Sequence, residues 1–203
     1  MGAELQAPVL DLTQDAAAHY GAYGAMVGHE LSRSIDRKGS LVNTAGELKT
    51  WWTPADVAAW DARTAPLSAQ YSGYTYPDLK TVRVNGAQTL DQNVADLAGV
   101  ELAWDALTTA QPALSETSKQ SFFQGWAQLW REQMSADVAT RMAATSAHAP
   151  GMWRANGPLV NEPAFGEAFG CTAAAGGKTG KGKAKPAPLP PMQLKPEQQV
   201  SIW

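Results

Sequence analysis

Gly21, Gly24 and Gly28 fall at helical spacing inside a stretch whose other residues also repeat every three to four positions: Tyr20, Tyr23, Met26, Val27, Glu30 and Leu31. The spacing predicts a helix from 13 to about 36, capped by Thr13 with Asp15 in its first turn. Each glycine costs roughly 1 kcal/mol against alanine in a helix interior. Three of them in eight residues imply that another backbone, or a ligand, lies close against this helix. The eight tryptophans point the same way, toward deep helix packing or an interface.

The rest of the chain reads as mainly α with little β. Thr53-Pro54-Ala55-Asp56 is a helix start, with the cap followed by proline at the first helical position, and that helix should run to about Tyr71. A loop follows, with a short strand expected at 80–84. Thr89 is expected to cap a helix from about Leu90 to Ala106. Ser115 or Thr117 should cap the next, on which Phe122, Phe123, Trp126, Leu129, Trp130 and Met134 form an apolar stripe. Further helices are expected at 135–145 and 161–169. Residues 172–191 are rich in Gly and Lys and then in Pro, the composition of a mobile linker. Apolar character returns at 192–203.

Composition excludes several classes. Sixteen Lys and Arg against nineteen Asp and Glu give a net charge of −3, with no strong basic patch outside the tail, so nucleic acid is not an expected partner. Cys171 is the only cysteine, so there is no disulfide framework. No run of roughly 18 apolar residues is present to span a membrane. The first residues lack a basic segment followed by an apolar run, so they do not read as a secretory signal. A cytoplasmic location is favoured on these grounds, with export by another route left open.

The stretch Gly28-His29-Glu30-Leu31-Ser32-Arg33-Ser34-Ile35-Asp36 carries the chemistry. Zinc peptidases of the HExxH type place two His four residues apart on one helix face, with Glu between them as general base. Here His29 and Glu30 stand, and Arg33 sits where the second His belongs. Alone, this half-motif reads as a partly buried helix His. It is joined by Gly46 to Trp52, ending in a paired Trp; by Asn85 to Gly99, containing Asn93-Val94-Ala95-Asp96; by Ser121 to Arg131; by His148-Ala149-Pro150 through Arg154 to Pro158; and by a terminal Trp203. In this order these segments resemble the catalytic half of the neprilysin family of zinc endopeptidases, over nearly the whole chain. The resemblance implies a thermolysin-like, helical catalytic lobe.

Two departures bear on function. The family's zinc site takes two His from the first motif and a Glu from the second; here Arg33 replaces the second His and Gln92 replaces the Glu. A guanidinium is a cation with no lone pair to donate, and Gln92 offers only a neutral amide oxygen. Only His29 remains of three ligands. Asp91 lies roughly 100° around the helix from Gln92, and His19 lies roughly 15 Å along the helix from His29, so neither is placed to compensate. Other parts match. The resemblance makes Glu30 the general base, Asp96 the residue that orients the first zinc His, and Asp36 the residue behind the missing second His. It makes His148 the oxyanion stabiliser and Arg154 the group that binds substrate carbonyls. The plain readings are loop packing for His148, a surface ion pair for Arg154 and an intrahelical pair for Asp36 with Arg33.

The resemblance therefore implies a degenerate, neprilysin-like domain at 1–171, a linker at 172–191 and a docking segment at 192–203. It implies no zinc cofactor, because two of three ligands are lost. Hydrolysis is not expected of the chain alone. The family's lobe has upstream elements that this sequence does not contain, and Cys171 matches a family cysteine whose partner lies there in many relatives. A protein partner, most simply a longer neprilysin-like subunit, is the implied cover, and a bound peptide is a second implied ligand. The alternative is an active zinc endopeptidase whose site a partner completes. Because relatives are often exported, a periplasmic location stays open.

Overall fold

The computed structural model describes residues 15–77, 79, 81–171 and 193–202. The elements are α1 (Ala16–His19), a π-helical turn (Tyr20–Gly24), α2 (Ala25–Ser32), α3 (Pro54–Ser72), α4 (Leu90–Ala110), α5 (Glu116–Leu129), α6 (Ala136–Thr145), α7 (Gly151–Leu159) and α8 (Pro163–Phe169). Among the described residues, β pairing is limited to two isolated bridges, Val42 with Leu48 and Thr75 with Arg83. The mainly α expectation holds. No helix among the described residues is long and apolar enough to cross a membrane.

α4 is the central element. Asn93 to Val100 are all buried, so this helix meets protein on every side. On one side Leu67, Tyr71, Val94, Leu97 and Trp153 pack together; on the other Val100, Leu107, Phe122, Phe123, Trp126 and Phe165 do. Burial of each such side chain contributes about 1.5–3 kcal/mol.

The glycines explain how the helices approach. A Cβ on Gly21 would lie 1.8 Å from the Phe122 carbonyl oxygen, and one on Gly125 would lie 2.3 Å from that of Ala18. The first helical run therefore meets α5 backbone to backbone. A Cβ on Gly28 would lie 3.0 Å from Gly99 Cα, and one on Gly99 would lie 2.4 Å from the Ala25 oxygen and 2.7 Å from the His29 nitrogen. Of the two possibilities the sequence leaves open, the neighbour is backbone.

Several local expectations need correction. The first helix ends at Ser32, not near residue 36, and is interrupted by the π turn. Ser32 Oγ donates to the His29 carbonyl, and Asp36 Oδ1 accepts from the Lys38 and Gly39 amides, so side chains draw the backbone into turns. Asp15 is the N-cap, accepting from the Ala18 amide at 2.8 Å, while Thr13 lies outside the described residues. The strand at 80–84 is only the Thr75–Arg83 bridge. Thr89 stands at the head of α4, but its hydroxyl donates to the Asn85 carbonyl and accepts from Asn93 Nδ2 rather than capping the helix. α4 runs to Ala110, four residues past its expected end. The helix expected at 161–169 starts at Pro163 with Glu162 before it. By contrast, α3 begins with the expected cap: Thr53 Oγ1 accepts from the Asp56 amide at 3.2 Å and Asp56 Oδ2 from the Thr53 amide at 2.8 Å.

α7 was not expected from sequence, because Gly151, Gly157 and Pro158 disfavour a helix. Tertiary contacts hold it. Trp153 stacks on Tyr74 at 4.0 Å and donates from Nε1 to the Thr75 carbonyl at 2.6 Å. Trp126 Nε1 donates to the Arg154 and Ala155 carbonyls, and the Glu132 carboxylate accepts from the Gly151 amide at the helix head. The expected linker at 172–191 and the terminal Trp203 lie outside the described residues.

Candidate functional site

The Gly28–Gly99 crossing brings α2 and α4 together one residue from His29 and three from Asp96. His29 Nδ1 meets Asp96 Oδ1 at 2.8 Å, with both residues buried. A carboxylate against Nδ1 fixes the ring and leaves Nε2 as the outward nitrogen.

Asp96 has a second partner. Arg154, delivered by α7, donates from Nε to Oδ2 at 2.8 Å and from Nη2 to Oδ1 at 2.7 Å. Burial alone would push the Asp96 carboxyl up, but the Arg154 charge, its two hydrogen bonds and the His29 contact outweigh it, and the carboxyl is held below its ordinary value. The other face of Arg154 is also engaged: its guanidinium carbon lies 3.6 Å from the centre of the Trp130 ring. With its side chain only 13% exposed, Arg154 is not the surface ion pair of the plain reading. Its Nη1 donors remain for a ligand.

His148 is exposed and lines a cavity of about 280 Å³ with Arg154, Trp130, Glu132, Tyr76 and Met142. Its imidazole is held below its ordinary pKa by desolvation and then by the Arg154 charge, with smaller effects from His29 and Arg33, while Asp96 opposes them. Glu30, next to His29, is exposed on α2.

Arg33 follows His29 by one turn and shares its face. Its Nη1 forms an ion pair with Asp36 Oδ2 and also donates to the Asp91 carbonyl at 3.2 Å. The guanidinium thus ties the end of α2 to the start of α4. Gln92 lies one turn before Asp96, so it shares that face of α4. Its Oε1 is buried and has no hydrogen-bond partner.

The zinc ion expected in the family needs three protein donors in a catalytic site. The groups offered here are the His29 imidazole and the neutral Gln92 oxygen, beside a guanidinium that repels a cation. No group of three or more His, Cys, Asp or Glu among the described residues is arranged to hold a metal. These residues do not fit zinc.

Sequence reasoning missed Trp130 beneath Arg154, Glu132 at the head of α7 and the Asp91 carbonyl beneath Arg33. The first two follow from the unexpected helix. The third is a backbone acceptor that no motif reveals.

Residues 1–181 match peptidase family M13. An endothelin-converting enzyme homolog from Locusta migratoria is 34% identical over 176 residues, spanning 82% of this chain and 24% of that protein. Mouse endothelin-converting enzyme 1 is 33% identical, spanning 82% of this chain and 22% of that protein. Among solved structures, the Mycobacterium tuberculosis zinc metalloprotease Zmp1 in its open state superposes with a TM-score of 0.84 at 34% identity, covering 99% of this chain and 30% of that one. PepO from Lactobacillus rhamnosis gives 0.81 at 33% identity, covering 98% of this chain and 28% of that one. The chain spans about a quarter of the length of the curated relatives it matches. The helical lobe expected from the resemblance is the fold observed.

Proposed function

The chain belongs to peptidase family M13, and from that premise we propose that it works by binding rather than by hydrolysing peptides itself. Its role is that of a non-catalytic subunit of a longer M13 chain, or of a peptide-binding partner to one. The observation that carries this reading is the Arg33 guanidinium, paired with Asp36 and bonded to the Asp91 carbonyl where an M13 site has its second zinc His. In this reading it supplies the positive charge that a metal supplies elsewhere in the family.

Two further features support the binding role. Arg154 is preorganised by Asp96 and Trp130 beside His148, in a cavity able to take a side chain or a carbonyl. A second, apolar groove of about 480 Å³ runs along the outer face of α2 and α4, lined by Tyr20, Tyr23, Val27, Leu31, Leu102 and Ala106, with Leu31 62% exposed. An exposed apolar face of this kind suits a protein partner. Mixing the chain with a longer M13 relative and measuring association by light scattering tests the subunit role. A complex with no gain in peptidase turnover supports it; the absence of a complex, with a stable monomer and no binding of apolar dye, removes it.

The second reading, an active zinc peptidase completed by a partner, draws on two observations. His29 is held with Nε2 outward, and Gln92 Oε1 is buried without a partner. In that reading Glu30 is the base and His148 stabilises the oxyanion. Zinc-dependent turnover that appears only in the complex and disappears with Glu30→Gln selects it.

A further inference from the structure

The apolar groove between the first helical run and α4 has Val27 and Leu31 exposed on one wall and Leu102 on the other. Its lining from His19 to Leu31 extends about 18 Å, or about three helical turns. Both walls are helices, whose backbone groups bond within their own helix. Among the described residues the two β-bridges, Val42 with Leu48 and Thr75 with Arg83, involve no residue of the groove. An extended segment would find no sheet edge here to pair with, so these walls accept a helix laid between them.

Gly24 lines the groove without a side chain. A Cβ there would meet Ala103 Cβ at 3.6 Å and the His19 oxygen and Tyr20 Cβ at 3.8 Å, all ordinary contacts. Gly21 and Gly28 are explained by the backbones of Phe122 and Gly99, but Gly24 answers to no close neighbour in this chain, although glycine costs about 1 kcal/mol in a helix. It ends the π-helical turn, a distortion frequent at functional sites. A bare backbone at this point lets a second backbone approach closely. Charge narrows the occupant further. Residues 15–32 and 90–110 contain no Lys or Arg. Glu30 lies three residues from Val27 and Asp105 three from Leu102, and both acids are exposed. The first cation beyond α2, Arg33, is paired with Asp36. A second copy of the chain would bring the same acids against these, so charge disfavours self-association through this face.

We propose that the groove seats an amphipathic helix of a protein partner, about three turns long, with Lys or Arg flanking its apolar stripe. The stripe covers Val27, Leu31 and Leu102, a small residue crosses Gly24, and the flanking cations face Glu30 and Asp105. This gives the subunit role its contact surface and rests on that reading. The apolar contacts supply affinity, and the acids select against a helix with an acidic flank. The same seating accounts for Gly24: alanine there would favour the helix in the isolated chain but would hold the partner's backbone away by a methyl group.

Two labelled synthetic peptides of about 18 residues test the groove, both helical, with leucines at i, i+3, i+4 and i+7 spacing and alanine at the centre of that face. One carries lysines beside the leucine stripe and the other glutamates. By fluorescence anisotropy with the full chain at low salt, the lysine peptide should bind at least about tenfold tighter than the glutamate peptide. Leu31→Gln, at an exposed position, should weaken the lysine peptide about tenfold, and Gly24→Ala at least about threefold with no fall in unfolding temperature. Asp105→Lys should narrow the preference between the peptides. Equal binding of the two peptides, or unchanged affinity in Leu31→Gln and Gly24→Ala, would overturn the proposal. A dimer of the chain that Leu31→Gln abolishes would also overturn it, by assigning the groove to a second copy. The same variants mixed with the longer M13 relative separate the two readings. A complex that both variants leave intact removes the groove and keeps the subunit role; no complex with the native chain, while the lysine peptide binds as expected, removes the subunit role and keeps the groove.

Discussion

His29 and Asp96, 67 residues apart in the chain, share a buried 2.8 Å hydrogen bond, and the same carboxylate holds Arg154 through two more. One buried acid thus fixes two side chains delivered by different helices. Replacing Asp96 with alanine leaves the Arg154 charge unpaired in a largely buried setting, at a cost of about 3–5 kcal/mol. Urea unfolding at neutral pH should show that loss, and a loss below about 1 kcal/mol would mean that Arg154 finds other partners.

The same pair sets an acid limit. The Asp96 carboxyl is held below its ordinary value of 3.8. The stability it contributes is fully present above that value and is lost as the pH falls through the lowered folded value. Asp96→Asn should flatten the acid limb of the stability curve. A limb that stays unchanged would assign acid unfolding to other carboxylates.

Much of this was legible from residue types and spacing. Thr53 to Asp56 predicted the start of α3, and the Phe122, Phe123 and Trp126 stripe predicted the buried face of α5. The glycines at 21 and 28 predicted a close neighbour, though not which one. What was hidden depends on contacts between distant segments. α7 forms despite its glycines and proline because Trp153, Tyr74 and Trp126 clamp it. Arg154 is largely enclosed rather than exposed because α7 carries it to Asp96. The early end of α2 comes from Ser32 and Asp36 hydrogen-bonding the backbone, chemistry that a hydrophobic period does not register.

The glycines separate by position. A Cβ on Gly21 collides with the Phe122 carbonyl at 1.8 Å, whereas one on Gly24 meets its nearest atom, Ala103 Cβ, at 3.6 Å. Gly21→Ala should destabilise by about 1–3 kcal/mol or more through overpacking. Gly24→Ala should be neutral or stabilise by up to about 1 kcal/mol. Thermal unfolding of the two variants should therefore diverge; equal shifts would contradict the backbone contact.

Arg33→His combined with Gln92→Glu should create a zinc site beside His29, because it returns two donors to the faces where the guanidinium and the amide now stand. Calorimetric titration should show zinc binding by the double variant and little by either single one, since catalytic sites use three ligands. Failure of the double variant to bind zinc while still folded would mean that α2 and α4 do not present these positions toward one point.

We expect the native chain to carry no zinc of its own, because Arg33 stands where the family's second zinc His would be. Elemental analysis of the purified chain, followed by zinc titration of the chelator-treated protein, tests this most directly. Far less than one zinc per chain is expected, with no zinc-induced rise in unfolding temperature. One zinc per chain, removed by chelator and abolished by His29→Ala, would contradict it.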